Sequence, residues 1–217
     1  LFMATKLSYP EHVNAQNYEV LKQAIINGAH VYPGALSVEE NGVKKLLDHS
    51  TIEQRLAIAN RLLENCENKV VFRHLVTGDY VLFNRQPTLH KPSIMSFRAR
   101  VLPKELTIRM HYVNCAGFNA DFDGDEMNVH LLQNELARSE AKYLSISDAQ
   151  YILPTSKSPV RGMIQDFIFA ILFLTSKDMF MDYTQYTQLL FEALANQLGD
   201  PSEAGARKLF VLEPAII

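Results

Sequence analysis

The sequence predicts an α+β chain in which a compact, strand-rich middle is flanked by helical segments. Three observations point there. Residues 69–74, 79–84, 96–102 and 106–113 are short runs rich in Val, Phe and Tyr, separated by Thr77-Gly78, by a Pro-containing stretch and by Pro103. Within the third run Phe97, Ala99 and Val101 alternate with Arg98 and Arg100, which gives one apolar and one basic face. On either side, apolar residues recur at helical instead of alternate spacing. Four such strands with few helices between them suggest a small barrel or compact sheet.

The flanks are read element by element. Tyr18, Leu21 and Ile25 form a helical stripe after Asn14, and Gly28 can stop the helix. Residues 30–42 carry turn residues and read as loop. Ser50-Thr51-Ile52-Glu53 reads as a capping box, with Ile52, Leu56, Ala59 and Leu63 continuing one apolar stripe toward Asn65. Beyond the middle, residues 135–144, 162–174 and 184–198 are helix candidates. The expected division is a helical and loop segment over 1–66, the strand-rich part over 67–138 and a helical part over 139–217.

Length and composition bound the rest. The 217 residues can bury a core, and 47% hydrophobic with 21% charged residues is ordinary for a globular protein. The longest strongly apolar run, Ile168 to Leu174, is far short of the roughly 20 residues a membrane-spanning helix requires. No signal peptide is legible, and both ends read as cuts inside a longer chain. Cys66 and Cys115 offer neither zinc spacing nor a disulfide framework, and both read as buried thiols in a reducing compartment. His74, His111 and His130 lack ligand spacing and read as structural, and Asp166 and Arg161 as packing or interface residues.

The net charge of −3 argues against a stand-alone nucleic-acid binder, but its distribution is uneven. Arg85, Lys91, Arg98, Arg100, Lys104 and Arg109 form a basic block, and Asp121, Asp123, Asp125, Glu126, Glu135 and Glu140 an acidic one. The blocks are either two solvated faces that pair with each other or phosphate contacts beside a cation site.

Asp121, Asp123 and Asp125 alternate. Residues two apart on a helix point about 200° away from each other, so a helix cannot converge them. A tight loop can, with Gly124 free to take unusual backbone angles. Three crowded carboxylates repel unless a cation sits among them, and an all-carboxylate donor set selects Mg²⁺ or Ca²⁺ over zinc. An EF-hand is disfavoured: counting from Asp121, the sixth residue is Glu126 instead of Gly and the twelfth is Leu132 instead of Glu. A solvated acidic turn is the plain alternative, but Phe122, Met127 and Val129 interleave with the acids. Carboxylate-held Mg²⁺ serves phosphate chemistry above all.

Asn119-Ala120-Asp121-Phe122-Asp123-Gly124-Asp125-Glu126-Met127-Asn128 matches a motif of the largest subunit of multi-subunit DNA-dependent RNA polymerases. A second block, Asn84-Arg85-Gln86-Pro87-Thr88-Leu89-His90-Lys91, lies at the family's distance upstream. Leu7-Ser8-Tyr9-Pro10-Glu11, Asn27-Gly28, Pro33-Gly34-Ala35 and Gly162-Met163-Ile164-Gln165-Asp166 extend the resemblance over nearly the whole chain. Asn114-Cys115, Thr155-Ser156-Lys157-Ser158-Pro159-Val160-Arg161-Gly162 and Leu174-Thr175-Ser176-Lys177-Asp178 resemble RNA polymerase I more than II or III. Phe167 departs from the His that the family pattern has after Gln165-Asp166.

The resemblance implies a double-psi β-barrel with the acidic loop projecting from it, a dock-like segment before it and the start of the pore or funnel region after it. It implies that Asp121, Asp123 and Asp125 hold one permanent catalytic Mg²⁺, while a second arrives with the nucleoside triphosphate. Arg85 would read the ribose, Asn119 would assist at the same sugar, and Pro87 would shape the segment beside Arg85. Lys91, Arg98 and Arg100 are secondary candidates for contacts with the RNA–DNA hybrid. The implied partners are the second-largest subunit, the other polymerase subunits, DNA template, RNA transcript and nucleotides, in the nucleus and its nucleolus, with no membrane. Two other readings share parts of the pattern. One is a non-catalytic scaffold of the same fold. The other is a silencing-type RNA-dependent RNA polymerase, which shares only the Asp-x-Asp-Gly-Asp core and not the block at Asn84 to Lys91.

Overall fold

The structure, a computed structural model, describes residues 2–64, 68–102, 104–153, 155 and 157–194. Cys66, Pro103 and the last residues of the helix expected over 184–198 lie outside these. The chain divides into two compact units, Leu1–Gly162 and Met163–Ile217.

The first unit holds two antiparallel sheets. One is built from β1 (Ser8–His12), β2 (Ala35–Glu40), β3 (Val43–Leu46) and β4 (Lys69–His74), in the order β1-β4-β2-β3. The other is built from β5 (Tyr80–Asn84), β6 (Ile94–Arg98) and β7 (Asn128–Leu131), in the order β6-β5-β7. Four helices accompany them: α1 (Phe2–Lys6), α2 (Tyr18–Asn27), α3 (Ile52–Asn60) and, after β6, α4 (Cys115–Phe118). A fifth, α5 (Glu135–Tyr143), follows β7. The second unit contributes α6 (Asp166–Leu174) and α7 (Tyr183–Leu194). The architecture is thus α+β with small open sheets, and no described helix is long and apolar enough to cross a membrane.

The first sheet rests on a core of Val13, Leu21, Ile25, Ala35, Val38, Leu47, Ala59, Leu62 and Val71. It corrects three expectations. Residues 30–42 contain β2, which pairs with β4 and turns into β3 at Asn41-Gly42. Both turn residues take positive φ, 52° and 78°, as a two-residue hairpin turn requires, and Asn-Gly was the available signal. The cap of α3 is Thr51 with Gln54, not Ser50 with Glu53: the Thr51 side chain accepts from the Gln54 N–H and the Gln54 side chain from the Thr51 N–H. Of the expected stripe only Ala59 is buried, with Ile58 and, just past the helix end, Leu62 packed beside it, while Ile52, Leu56 and Leu63 face solvent. In that orientation the Arg55 Nη1 donates to the Asn27 carbonyl at 2.9 Å. The helix at Tyr18 ends at Gly28, whose N–H donates to the Ala24 carbonyl.

In the second sheet the basic and apolar alternation holds: Phe97, Ala99 and Val101 are half-buried, and Arg98 and Arg100 are exposed. Residues 106–113 are not a strand, however. Among the described residues no strand lies alongside them, so their two-residue pattern has no ladder to join. Leu106, Ile108 and Met110 line instead an open apolar groove of about 810 Å³ with Leu75, Val81 and Phe97. Where the barrel was expected, β4 belongs to the first sheet and only β5, β6 and β7 remain together.

The two sheets are joined by an apolar cluster of Leu7, Leu75, Val81, Val129 and Leu131, and by charge. Arg73 on β4 donates through Nη1 and Nη2 to both oxygens of Asp79, at 2.8 and 2.9 Å, and through Nε to Glu11 on β1. Side-chain exposure is 10% for Arg73 and 5% for Asp79. Burial pushes the Asp79 carboxyl upward, but Arg73 and the Val76 N–H together hold it below the usual carboxylate range. Removing one partner of such a pair strands the other, so Asp79→Ala is expected to destabilise the chain by about 3–5 kcal/mol in chemical denaturation. Because the folded carboxyl is depressed, its contribution is present above about pH 4 and is lost as pH falls through the lower folded value.

Candidate metal centre

The site grows from the pairing of β5 with β7. Their register runs from Val81 opposite Leu131 to Asn84 opposite Asn128. Arg85 leaves the end of β5 just where the loop 119–127 enters β7. That loop is anchored upstream by Phe118, which is 1% exposed and forms an aromatic triangle with Phe83 and Phe97, centroids 5.9–6.0 Å apart. Burying a ring of this size contributes about 1.5–3 kcal/mol, which fixes the loop's first end.

Asn119 then takes the left-handed conformation (φ 49°, ψ 45°) and closes α4, a turn role its residue type tolerates. Its side chain is exposed on the way into the loop. Gly124 adopts φ 127°, which a side chain would resist, and turns the chain so that the carboxylates converge. Phe122 packs edge-on against Tyr112 at 5.4 Å, so it braces the loop from outside. One carboxylate oxygen from each of Asp121, Asp123 and Asp125 lies within 4.8 Å of the others, and all three residues are exposed.

Arg85 joins the basic block to the acidic one. Its Nε donates to Asp125 Oδ2 at 2.7 Å and its Nη2 to Asp125 Oδ1 at 3.2 Å. The Asp121 N–H donates to Asp125 Oδ2 at 3.2 Å. These two donors hold the Asp125 carboxyl below the usual range. Asp121 moves the other way: contact with Asp123, desolvation and the charges of Asp123 and Asp125 push it up, and Arg85 only partly offsets them. The trio therefore holds excess negative charge that one guanidinium does not neutralise, a donor set suited to a hard divalent cation.

Beside it lies a polar cleft of about 360 Å³ lined by Arg85, Gln86, Gly124, Asp125, Glu126 and Asn128. Gln86, Glu126 and Asn128 were missed as site residues, although each neighbours a residue already singled out. Pro87 follows a cis peptide bond after Gln86. Lys91 opens a short 3₁₀ turn over Lys91–Ser93 that leads into β6 at this end of the sheet. Arg98 and Arg100 do not join the group. Arg98 is opposite Tyr80, four residues from the Asn84 end and so about 14 Å along the strand, and both line the apolar groove. Cys115 is half-buried beside the loop, and burial, then Asp121, pushes its thiol up.

Residues 1–147 match the family described as RNA polymerase Rpb1, domain 2. The chain is 47% identical over 230 residues to DNA-directed RNA polymerase I subunit rpa1 of Schizosaccharomyces pombe, covering 98% of this chain and 13% of that protein. It is 48% identical over 221 residues to subunit RPA190 of the Saccharomyces cerevisiae enzyme, with the same coverage. DNA-directed RNA polymerase III subunit RPC1 of Trypanosoma brucei brucei is 42% identical over 192 residues, covering 88% of this chain and 12% of that protein. The chain thus spans about an eighth of the length of the relatives it matches. It belongs to the family of the largest subunits of multi-subunit DNA-directed RNA polymerases, and within that family it is most like those of RNA polymerase I.

Proposed function

We propose that this chain forms the metal-holding part of a polymerase catalytic centre, where ribonucleotides are added to the 3′ end of an RNA copied from DNA. The observation that carries the reading is the convergence of three exposed carboxylates within 4.8 Å on one loop, with Arg85 beside them. Asp121, Asp123 and Asp125 would hold one resident Mg²⁺ and share a second that enters with the nucleoside triphosphate. Bound there, the ions supply charge neutralisation for the attacking 3′-oxygen and the departing pyrophosphate.

The chain's own residues do the positioning. Asp125 would be shared between Arg85 and the cation, and the guanidinium's remaining donors would face ribose hydroxyls in the adjoining cleft. Asn119 can donate and accept at the same sugar, and Pro87 shapes the segment that presents Arg85. Lys91, Arg98 and Arg100 would offer charge to the backbone of the RNA–DNA hybrid. The three-stranded sheet β6-β5-β7 would be part of a double-psi β-barrel, with residues 1–66 as a dock-like segment, 67–138 as the barrel part and 139–217 as the start of a pore or funnel region. The partners would be the second-largest subunit, the remaining polymerase subunits, template, transcript and nucleotides. The higher identity to RNA polymerase I subunits supports ribosomal RNA synthesis in the nucleolus of the nucleus.

Asp123→Asn removes a ligand and keeps the shape. In the assembled polymerase it is expected to lower transcript synthesis by more than about a hundredfold, beyond what the loss of a mere supporting partner costs. Unchanged synthesis sinks the reading. Arg85→Lys keeps the charge and loses the fork; single-nucleotide addition kinetics should show a raised KM and about tenfold poorer rejection of deoxyribonucleotides. Arg85→Ala should move the Asp125 carboxyl upward, toward the usual carboxylate range, in a carbon-detected NMR titration of the chain, because the guanidinium is the first cause of its depression.

A further inference from the structure

β5 is tied to the segment running from the acidic loop through β7 into α5 at two places. At the site end the cross-link is Arg85 with Asp125. At the far end Asp79, the residue before β5, faces Arg138 on α5, whose Nη2 lies 3.7 Å from Asp79 Oδ1. Asp79 itself is gripped by Arg73, and Arg138 lies over the ring of Tyr9 at 4.4 Å. The Tyr9 hydroxyl donates to Glu135, at the start of α5. Between β7 and α5, the Gln133 side chain donates to the Ser8 carbonyl at 2.7 Å. The chain leaving the acidic loop therefore runs directly from β7 into an ionic cluster whose buried centre, Arg73 with Asp79, is seated on the first sheet.

Among the described residues β7 is an edge strand with β5 as its sole partner. Half-buried Val129 and Leu131 fix which face of β7 points inward, so a one-residue slip is excluded, but a two-residue slip, about 7 Å, keeps that facing. Such a slip would carry the carboxylates away from Arg85. The near cross-link cannot prevent this during function, because it uses Asp125, a carboxylate that the cation reading also needs. The far cross-link uses no residue of the site.

We propose that the Arg138–Asp79 contact, with Arg73, Glu11, Tyr9 and Glu135 around it, is a positioning lock that holds the register of β7 and with it the spacing of the three carboxylates. The lock rests on the proposed cation site for its purpose, but not for its mechanical effect on β7. Arg138 is the residue to test. If it is removed, Asp79 keeps both Arg73 hydrogen bonds and the Val76 N–H, so no buried charge is left bare.

The test uses the polymerase assembled with full-length subunits carrying Arg138→Met, which keeps much of the stem over Tyr9. Amide exchange in residues 128–131, without added divalent cation, is expected to quicken about tenfold. The Mg²⁺ concentration for half-maximal nucleotide addition should rise about threefold or more, with the nucleotide KM at saturating Mg²⁺ unchanged. Arg138→Lys, which restores the charge, should bring both back to within about twofold. Unaltered exchange overturns the lock. So does a fall in kcat with an unaltered Mg²⁺ midpoint, which is what a smaller folded fraction would give. If Arg138→Met does not assemble, Glu135→Gln is measured the same way, and an unmoved exchange rate and midpoint again overturn it. Transcription that survives Asp123→Asn refutes the cation site alone, since the exchange measurement still decides whether β7 is held.

Discussion

The pairing of β5 with β7 is the constraint on which the site depends. Three aspartates on one loop repel one another, and the loop itself offers only the Asp121 N–H to offset that repulsion. The ladder brings Arg85 to the same end of the sheet, and its two hydrogen bonds to Asp125 compensate one of the three charges. The remaining imbalance appears as opposite displacements of two neighbouring carboxyls, Asp125 downward and Asp121 upward. A site in that condition favours added positive charge, and its all-oxygen donors favour a hard ion.

The two sheets divide the work. The first has an ordinary apolar core under α2 and α3 and serves as the fixed body. The second is small and open, with the Phe83, Phe97 and Phe118 triangle at the base of the acidic loop. They are tied by an apolar cluster around Leu75 and Val81 and by the ionic cluster of Glu11, Arg73, Asp79 and Arg138. Ionic contacts have narrower geometric tolerance than apolar ones, since a fork of two hydrogen bonds fits one arrangement. A joint of this kind suits a place where alignment matters more than the strength of attachment.

Several features were legible in the sequence because their causes are local. The alternation of Asp121, Asp123 and Asp125 around Gly124 excludes a helix by geometry alone, and the structure converges the three carboxylates on a loop. The stripe at Tyr18, Leu21 and Ile25 with its stop at Gly28, the run 69–74 and the helix after Asn134 follow from periodicity and capping. Misreadings arose where two local signals competed. Thr51 with Gln54 was preferred over Ser50 with Glu53 by which hydroxyl faced the first turn. In α3 only Ala59 of the expected stripe reaches the core, with Ile58 and Leu62 beside it. Residues 106–113 had a strand's pattern without a strand's neighbour.

Sequence alone determined which groups this chain offers: which acids, at what spacing, with which arginine in a recognisable block nearby. That information is local and survives without coordinates. The tertiary structure decided which partners those residues keep. Arg85 meets Asp125 across 40 positions, and Arg138 meets Asp79 across 59, because strand register and helix placement set those distances. Residue identity limits what a side chain can do, but only the folded backbone selects which of several eligible charges it faces, and register is a collective property that no single segment encodes.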